Sequence, residues 1–314
     1  MAVYNAAETL EETLDSVVAQ EGVDLECIVV DDGSTDSTGQ LLRAYGAKDG
    51  RFKILEQDNQ GLTRSLMRGC AEARGTFIAR QDAGDVSLPG RLLRQAEVLT
   101  RYPECSFVSA YTEFCSPHWD FLWLGHGAPD RSVPANIITD RPEQGLAGDI
   151  PHHGSVMFRR KSYEAVGGYR NQFYYGQDWD LWYRLARVGR FYVVPELLYR
   201  ARIFPNGISM AGQQLQRQCA ACSLGAFAAR QRGLSEKNWL DRAEKYRPAK
   251  ENADVLSKRW TNSQEPGLYF IGEALRRTNN SACRDYFGKA IRENPWKIRS
   301  YIRMLQSLIS SVVR

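Results

Sequence analysis

Short apolar runs rich in β-formers alternate with segments of helical period along the first half of the chain. This alternation constrains the fold more than any single residue does. Leu10, Leu14, Val17 and Val18 share one helical face. Leu25 to Val30 is a brief apolar run that ends in Asp31-Asp32-Gly33-Ser34, the pattern of a buried strand meeting a turn. Ser34 or Thr35 can cap the next helix, which carries Leu41, Leu42 and Tyr45. Phe52 to Leu55 then reads as a strand, and Leu62, Leu66, Met67 and Cys70 mark a helix. A strand at 76–80, a helix after Pro89 and a strand from Cys105 to Ala110 follow. The order predicts an α/β fold: a mainly parallel sheet with helices on both faces. Only Met1-Ala2-Val3-Tyr4-Asn5 precedes the first helix, so the first strand reads as truncated and the native start is expected upstream of Met1.

Residues 111–150 lose periodicity and gain Pro and Gly, as a substrate-facing loop would. Ser155 to Phe158 reads as a strand, Gly167-Gly168-Tyr169 as a turn, 178–187 as a helix and Phe191 to Val194 as a strand. Beyond about residue 212 the pattern is helical only. Two domains are expected, an α/β domain over 1–212 and a helical extension over 213–314. The net charge of +4 and the lack of a basic run argue against a nucleic-acid partner. No apolar stretch reaches the roughly 18 residues of a transmembrane helix. Glu8, Glu11 and Glu12 speak against a secretory signal, and seven irregularly spaced cysteines suit a reducing compartment. A cytoplasmic location is expected. Cys219 and Cys222 form a lone C-x-x-C without the second ligand pair a zinc site needs, and read as buried helix cysteines.

Two acidic loops stand out, each at the carboxyl end of an expected strand: Asp31-Asp32-Gly33-Ser34-Thr35-Asp36 and Asp82-Ala83-Gly84-Asp85. Strand ends of this kind are where open α/β sheets bind ligands. These loops belong to an ordered series with Val3-Tyr4-Asn5-Ala6, Asn59-Gln60-Gly61-Leu62, His153-Gly154-Ser155-Val156-Met157-Phe158, Gly167-Gly168-Tyr169 and Gln177-Asp178-Trp179-Asp180. The series, over residues 1 to about 212, resembles the bacterial family 2 glycosyltransferases with the GT-A nucleotide-sugar-binding fold. The helical tail resembles extensions found in some bacterial members.

The resemblance implies a role for each matching residue. Tyr4 is expected to stack on the donor base, and Asp32 to accept hydrogen bonds from base or ribose. Asp82, with Ala83, is expected near the donor ribose. Asp178 is the expected general base, with His153 and Trp179 on the acceptor side. Trp119 and Trp123 lie in the irregular segment where a sugar face would pack, whereas Trp182 reads as core. Structural alternatives stand beside these roles: helix capping for Asp32, Asp85 and Asp178, and plain packing for Tyr4 and His153.

Two departures bear on the metal. The last acid of the family's D-x-D motif, a ligand of Mg²⁺ or Mn²⁺, is replaced by Gly84. A downstream histidine near the metal is replaced by Phe204, which cannot ligate. Asp85 is the remaining candidate ligand. The diphosphate leaving group still needs neutralisation, for which Arg80, Arg200 and Arg202 are candidates, Arg202 as a donor-binding residue. A weak or absent metal requirement follows as the expectation.

The implied activity is inverting transfer of a sugar from a nucleotide-diphosphate sugar to an acceptor hydroxyl, on a glycan or lipid-linked acceptor in bacterial surface glycan synthesis. The alternative is a catalytically impaired nucleotide-sugar-binding or scaffold protein. At the end of the chain, Trp296, Ile298, Tyr301, Ile302, Leu305, Leu308 and Ile309 share a segment with Lys297, Arg299 and Arg303. It could lie on a membrane surface, at the inner face of the plasma membrane, or pack on the helical tail.

Overall fold

The computed structural model describes residues 1–126, 151–207, 213–247 and 263–312. The larger part of the expected loop, 127–150, lies outside the described residues. The chain divides into two compact units that interleave in sequence: Met1–Thr112 with Gly125–Ala201 and Arg217–Arg247, and Glu113–Leu124 with Arg202–Gln216 and Pro248–Arg314.

The first unit begins as the alternation requires. Strand β1 (Ala2–Val3), helix α1 (Ala7–Val18), β2 (Cys27–Asp31), α2 (Thr38–Lys48), β3 (Phe52–Glu56) and α3 (Leu62–Ala71) follow in order. β2 is the centre of a parallel sheet ordered β1-β2-β3, with Ala2 opposite Val30 and Val29 opposite Ile54. Every residue of β2 is buried, as a strand covered on both faces must be. Leu10, Leu14 and Val17 of α1 pack against Val29 and Leu42. Each such leucine contributes about 2 kcal/mol of burial.

The α/β fold is the one expected; the parallel pairing holds in the β1-β2-β3 sheet, and the second half of this unit adds antiparallel pairs. β4 (Phe77–Ala79), β5 (Val86–Ser87), β6 (Cys105–Cys115), β8 (Met157–Arg159) and β9 (Arg190–Arg202) form a second sheet ordered β4-β8-β6-β9-β5. β4 and β6 both pair antiparallel with β8, and β5 pairs antiparallel with β9. Helix α4 (Arg91–Arg101) follows β5. A 3₁₀ turn, His153–Ser155, replaces the start of the strand expected at Ser155, and α5 (Arg160–Ala165) follows β8. The segment expected to be irregular from residue 111 instead carries the end of β6 and β7 (Phe121–Gly125), which pairs with it.

Helix α6 (Gln177–Val188) sits in the densest core. Its Trp182 stacks on Phe107 with ring centroids 5.4 Å apart. The helix is held by a fully buried carboxylate in its first turn. Asp180 accepts hydrogen bonds from Arg184 one turn on, at 2.6 and 3.0 Å, and from Arg170 in the preceding loop. Arg170 in turn reaches Glu236 at 2.9 Å. Helices α7 (Gln213–Gln231) and α8 (Lys237–Glu244) close this side; Cys219 and Cys222 are buried there beside Trp239 and carry no disulfide.

In the second unit, α9 (Glu265–Arg277), α10 (Cys283–Glu293) and α11 (Ile298–Val312) pack together with Leu122 of β7. Among the described residues, no helix is long and apolar enough to cross a membrane.

Asp180→Asn would leave two arginines short of their buried counter-charge. It is expected to destabilise the fold by about 3 kcal/mol in urea unfolding at neutral pH. Because the partners hold the Asp180 carboxyl below its usual range, the difference should shrink in acid, where the native carboxylate is lost as well.

Candidate active site

The carboxyl ends of β1 and β2 are knitted together by side chains from the first acidic loop. Asn5 N–H donates to Ser34 Oγ at 3.0 Å, and Thr35 N–H donates to Asn5 Oδ1 at 2.8 Å. Thr38 Oγ1 and Asp36 Oδ2 accept from Ala6 and Ala7, which satisfies N–H groups at the start of α1. Tyr4, at the end of β1, is about half exposed (49%). Asp32 is buried. Its Oδ1 accepts from Gln57 Nε2 at 2.6 Å and from Gln60 N–H at 2.9 Å; Oδ2 accepts from Gly61 N–H at 2.8 Å. Three of roughly four lone-pair sites are thus used to fix the loop that enters α3.

The second acidic loop rests on two buried arginines. Arg80, at the end of β4, donates from Nη2 to Asp82 Oδ1 at 2.5 Å and from Nε to His153 Nε2 at 3.2 Å. Arginine has no acceptor, so His153 Nε2 carries a lone pair there and the ring is neutral. Tyr169 O–H lies 2.7 Å from the same nitrogen. Burial, with Arg80 next in weight, pushes the His153 pKa down to about 3. Burial is the largest single influence on Asp82 and works against its charge, yet Arg80 and the smaller positive contributions around it together hold the carboxyl at about 2. Arg91 is fully buried in α4. It donates to the carbonyls of Arg80 and Gly154 at 2.7 and 2.8 Å, and to Gln81, Ser87 and Gln95. Its guanidinium also lies 4.7 Å from the centroid of the Tyr199 ring.

Tyr199 of β9 joins the parts. Its hydroxyl donates to Asp85 Oδ2 at 3.0 Å and accepts from Asp82 N–H at 3.2 Å. Gly84 has φ +92°, and its N–H donates to Thr13 Oγ1 of α1. This left-handed bend, which glycine adopts without strain, lets Asp85 turn back beside Asp82. Ala83 packs on the core under α1. The third member of the cluster is His152, whose Nε2 is 4.0 Å from Asp85 Oδ2. One ligating atom each from Asp82, Asp85 and His152 lies within 4.8 Å of the others. Burial pushes the His152 pKa down to about 4, so its ring is neutral at physiological pH.

Asp178 occupies the first turn of α6. Burial raises its carboxyl to about 6; hydrogen bonds from backbone N–H groups work against the rise, as does Arg80, while the charge of Asp82 adds to it. The base candidate and the acidic loop therefore share one electrostatic field. Trp179, beside it, packs partly buried against the main core. Arg202 and Phe204 belong to the second unit. There the Arg202 guanidinium lies 4.3 Å from the Trp119 ring centroid and 5.9 Å from that of Phe204. Arg200 pairs opposite Val86 in the sheet.

Asp82, Asp85 and His153 thus lie in one hydrogen-bonded cluster around Arg80, Arg91 and Tyr199, linked electrostatically to Asp178. His152, Arg91 and Tyr199 were not singled out from sequence. The doubled His152-His153 before Gly154 was the available signal for the first of them; nothing local marks the other two.

The profile described as "Glycosyl transferase family 2" matches residues 1–167 of this chain. The chain belongs to glycosyl transferase family 2. It is a glycosyltransferase, 32% identical over 211 residues to EpsE of Bacillus subtilis, a protein named for that activity. The match spans 64% of this chain and 71% of EpsE. The mannosyltransferase PcManGT from Pyrobaculum calidifontis, solved in complex with GDP-Man and Mn²⁺, shares the fold. Its TM-score is 0.55 at 18% identity, over 99% of this chain and 84% of that one. TarS 1–349 of S. aureus in complex with UDP is similar at TM-score 0.51 and 15% identity, over 98% and 87%.

In this glycosyltransferase, a Cβ on Gly154 would stand 2.2 Å from the Tyr199 hydroxyl and 3.0 Å from Asp82 Oδ2. Gly154→Ala is expected to displace Tyr199 and to cost about 1–3 kcal/mol in denaturant unfolding, with loss of transfer activity.

Proposed function

We propose that this glycosyltransferase transfers a sugar from a nucleotide-diphosphate sugar to an acceptor hydroxyl in one inverting step, in the synthesis of a bacterial glycan. The observation that carries the reading is Asp178: a carboxyl raised to about 6 by burial, in the field of Asp82 and Arg80. A base of that strength is ionised at neutral pH and takes a proton more readily than an ordinary aspartate. Asp178 would remove the acceptor proton as the oxygen attacks the anomeric carbon, while the nucleotide diphosphate leaves from the opposite face. Tyr4 offers an exposed ring for the base. Asp32 contributes by holding the 57–61 loop, with one acceptor position left for the nucleoside.

Two carboxylates and a neutral imidazole make a donor set that suits Mn²⁺ or Mg²⁺. We assign Asp82, Asp85 and His152 as the residues that would hold such a cation. When bound, it would neutralise the diphosphate leaving group. In this arrangement His152 stands in for the ligands missing at Gly84 and Phe204, and a metal requirement replaces the arginine-only route. Arg80 is committed to Asp82 and His153, so it orients the loop. The likeness to the chondroitin synthase of Pasteurella multocida, 23% identical over 248 residues, supports a glycan acceptor, and action at the cytoplasmic side belongs to the same reading.

Asp178→Asn is expected to lower kcat by at least about a thousandfold, with donor affinity by calorimetry unchanged. The variant should also be more stable than wild type. The folded pKa is raised, so ionisation of Asp178 costs stability as pH climbs from about 4 to about 6, and in full above that. Removing the charge returns on the order of 1–3 kcal/mol at pH 7. A purely helix-capping Asp178 would give a less stable variant with near-normal kcat. For wild type, kcat/KM should fall as pH drops below about 6.

Chelation of divalent ions is expected to abolish transfer, and Mn²⁺ to restore it. Calorimetric Mn²⁺ affinity should fall roughly tenfold or more in His152→Ala. Full turnover in chelator would sink the metal assignment and leave the assignment of Asp178 standing.

A further inference from the structure

Helix α11 is packed inside out. A surface helix ordinarily buries its apolar stripe and exposes its polar one. Here the face turned onto α9 and α10 carries Ser300 and Ser307, both buried, with Met304 between them. Arg284 Nη2 donates to the Ser307 carbonyl at 3.0 Å, and Arg299 stacks over the Tyr269 ring at 4.2 Å. The opposite face carries Ile298, Tyr301, Ile302, Leu305 and Leu308, at the three-and-four spacing of one helical stripe. All five are exposed, from 41% at Tyr301 and Leu308 to 71% at Ile298. Trp296, just before the helix, is 90% exposed. The side chain of Ile309 lies outside the described residues.

The charges carried by this segment itself are of one sign. Residues 294–314 contain no Asp or Glu. Under the helix, two carboxylates serve five cations. Glu265 meets Lys297 and Arg299, and Glu273 meets Arg276, Arg277 and Arg303. The cluster keeps a surplus of positive charge beside the apolar row.

We infer that the α11 face, Trp296 to Leu308, is an interfacial docking surface for an anionic lipid bilayer. The apolar row would enter the acyl boundary, and Trp296 and Tyr301 would sit at headgroup depth, where an apolar ring with a polar edge is favoured. The net positive charge of the cluster, five cations to two carboxylates, would draw the helix to lipid phosphates. The charge surplus singles out a bilayer over a second copy of this chain, whose own α11 would bring the same positive charge against it. This surface is independent of the sugar-transfer chemistry.

Co-sedimentation of the full chain with vesicles tests it. Phosphatidylglycerol–phosphatidylcholine vesicles are compared with phosphatidylcholine alone, for wild type and for Ile302→Glu/Leu305→Glu. Both positions are exposed, and circular dichroism checks that the helices persist. Wild type is expected to partition onto the anionic vesicles, with a partition coefficient roughly tenfold or more above that of the variant. Binding should weaken in about 1 M salt, where the Debye length is about 3 Å. Equal partitioning of wild type and variant, or none onto anionic vesicles, overturns the inference. So does a dimer in light scattering without lipid that the same substitutions dissolve, since a second copy would then be the occupant.

Discussion

The hydrogen bonds of one buried guanidinium organise the site. All five N–H donors of Arg91 have acceptors: the side chains of Gln81, Ser87 and Gln95, and the carbonyls of Arg80 and Gly154. A buried cation is tolerable only when satisfied in this way. Burial lowers its pKa to about 10, which still leaves it charged at neutral pH. The result is a rigid joint between the end of β4, the start of α4 and the turn before β8. Asp82, Asp85, His152 and His153 are mounted on that joint. Tyr199, lying against the same guanidinium, tethers the backbone of Asp82 and the carboxylate of Asp85.

The carboxylates of α6 divide structural and chemical work by environment. Asp180 is enclosed by two arginines, which hold it ionised below its usual range. Asp178, two residues earlier, has no ion pair among the described contacts and is raised to about 6 by burial. The first anchors the helix; the second keeps a raised carboxyl pKa and is the proposed base. Residues two apart on a helix point to different sides, so neighbouring aspartates reach opposite environments.

Much of the fold was legible because its elements are local. Apart from the two-residue β5, the strand–helix order through Leu99 follows from period and turn chemistry, and the β1-β2-β3 sheet has the parallel arrangement that order demands. The antiparallel half was not legible. β8 inserts between β4 and β6, and β5 pairs with the far-downstream β9, so partners are chosen by long-range packing. The extension of β6 to Cys115 and the pairing of β7 escaped notice for the same reason: a hairpin with mixed burial lacks a clean alternation. In the candidate site, Asp82, Asp85 and Asp178 were visible as strand-end or helix-start acids. Arg91 and Tyr199 were not, since a single arginine on a helix or a tyrosine in a strand has no local mark of burial.

By itself the sequence determined the α/β order, the acidic loops at strand ends, the family resemblance and an amphipathic last helix, all properties of neighbouring residues. Tertiary structure alone decided which groups meet. It brought His152 beside Asp82 and Asp85 where the expected ligand positions hold Gly84 and Phe204. It left Asp32 committed to its own loop, and it turned the apolar side of α11 outward. Periodicity defines an apolar face but not its direction. The direction follows from which side finds partners, and here Ser300, Met304 and Ser307 found them on α9 and α10.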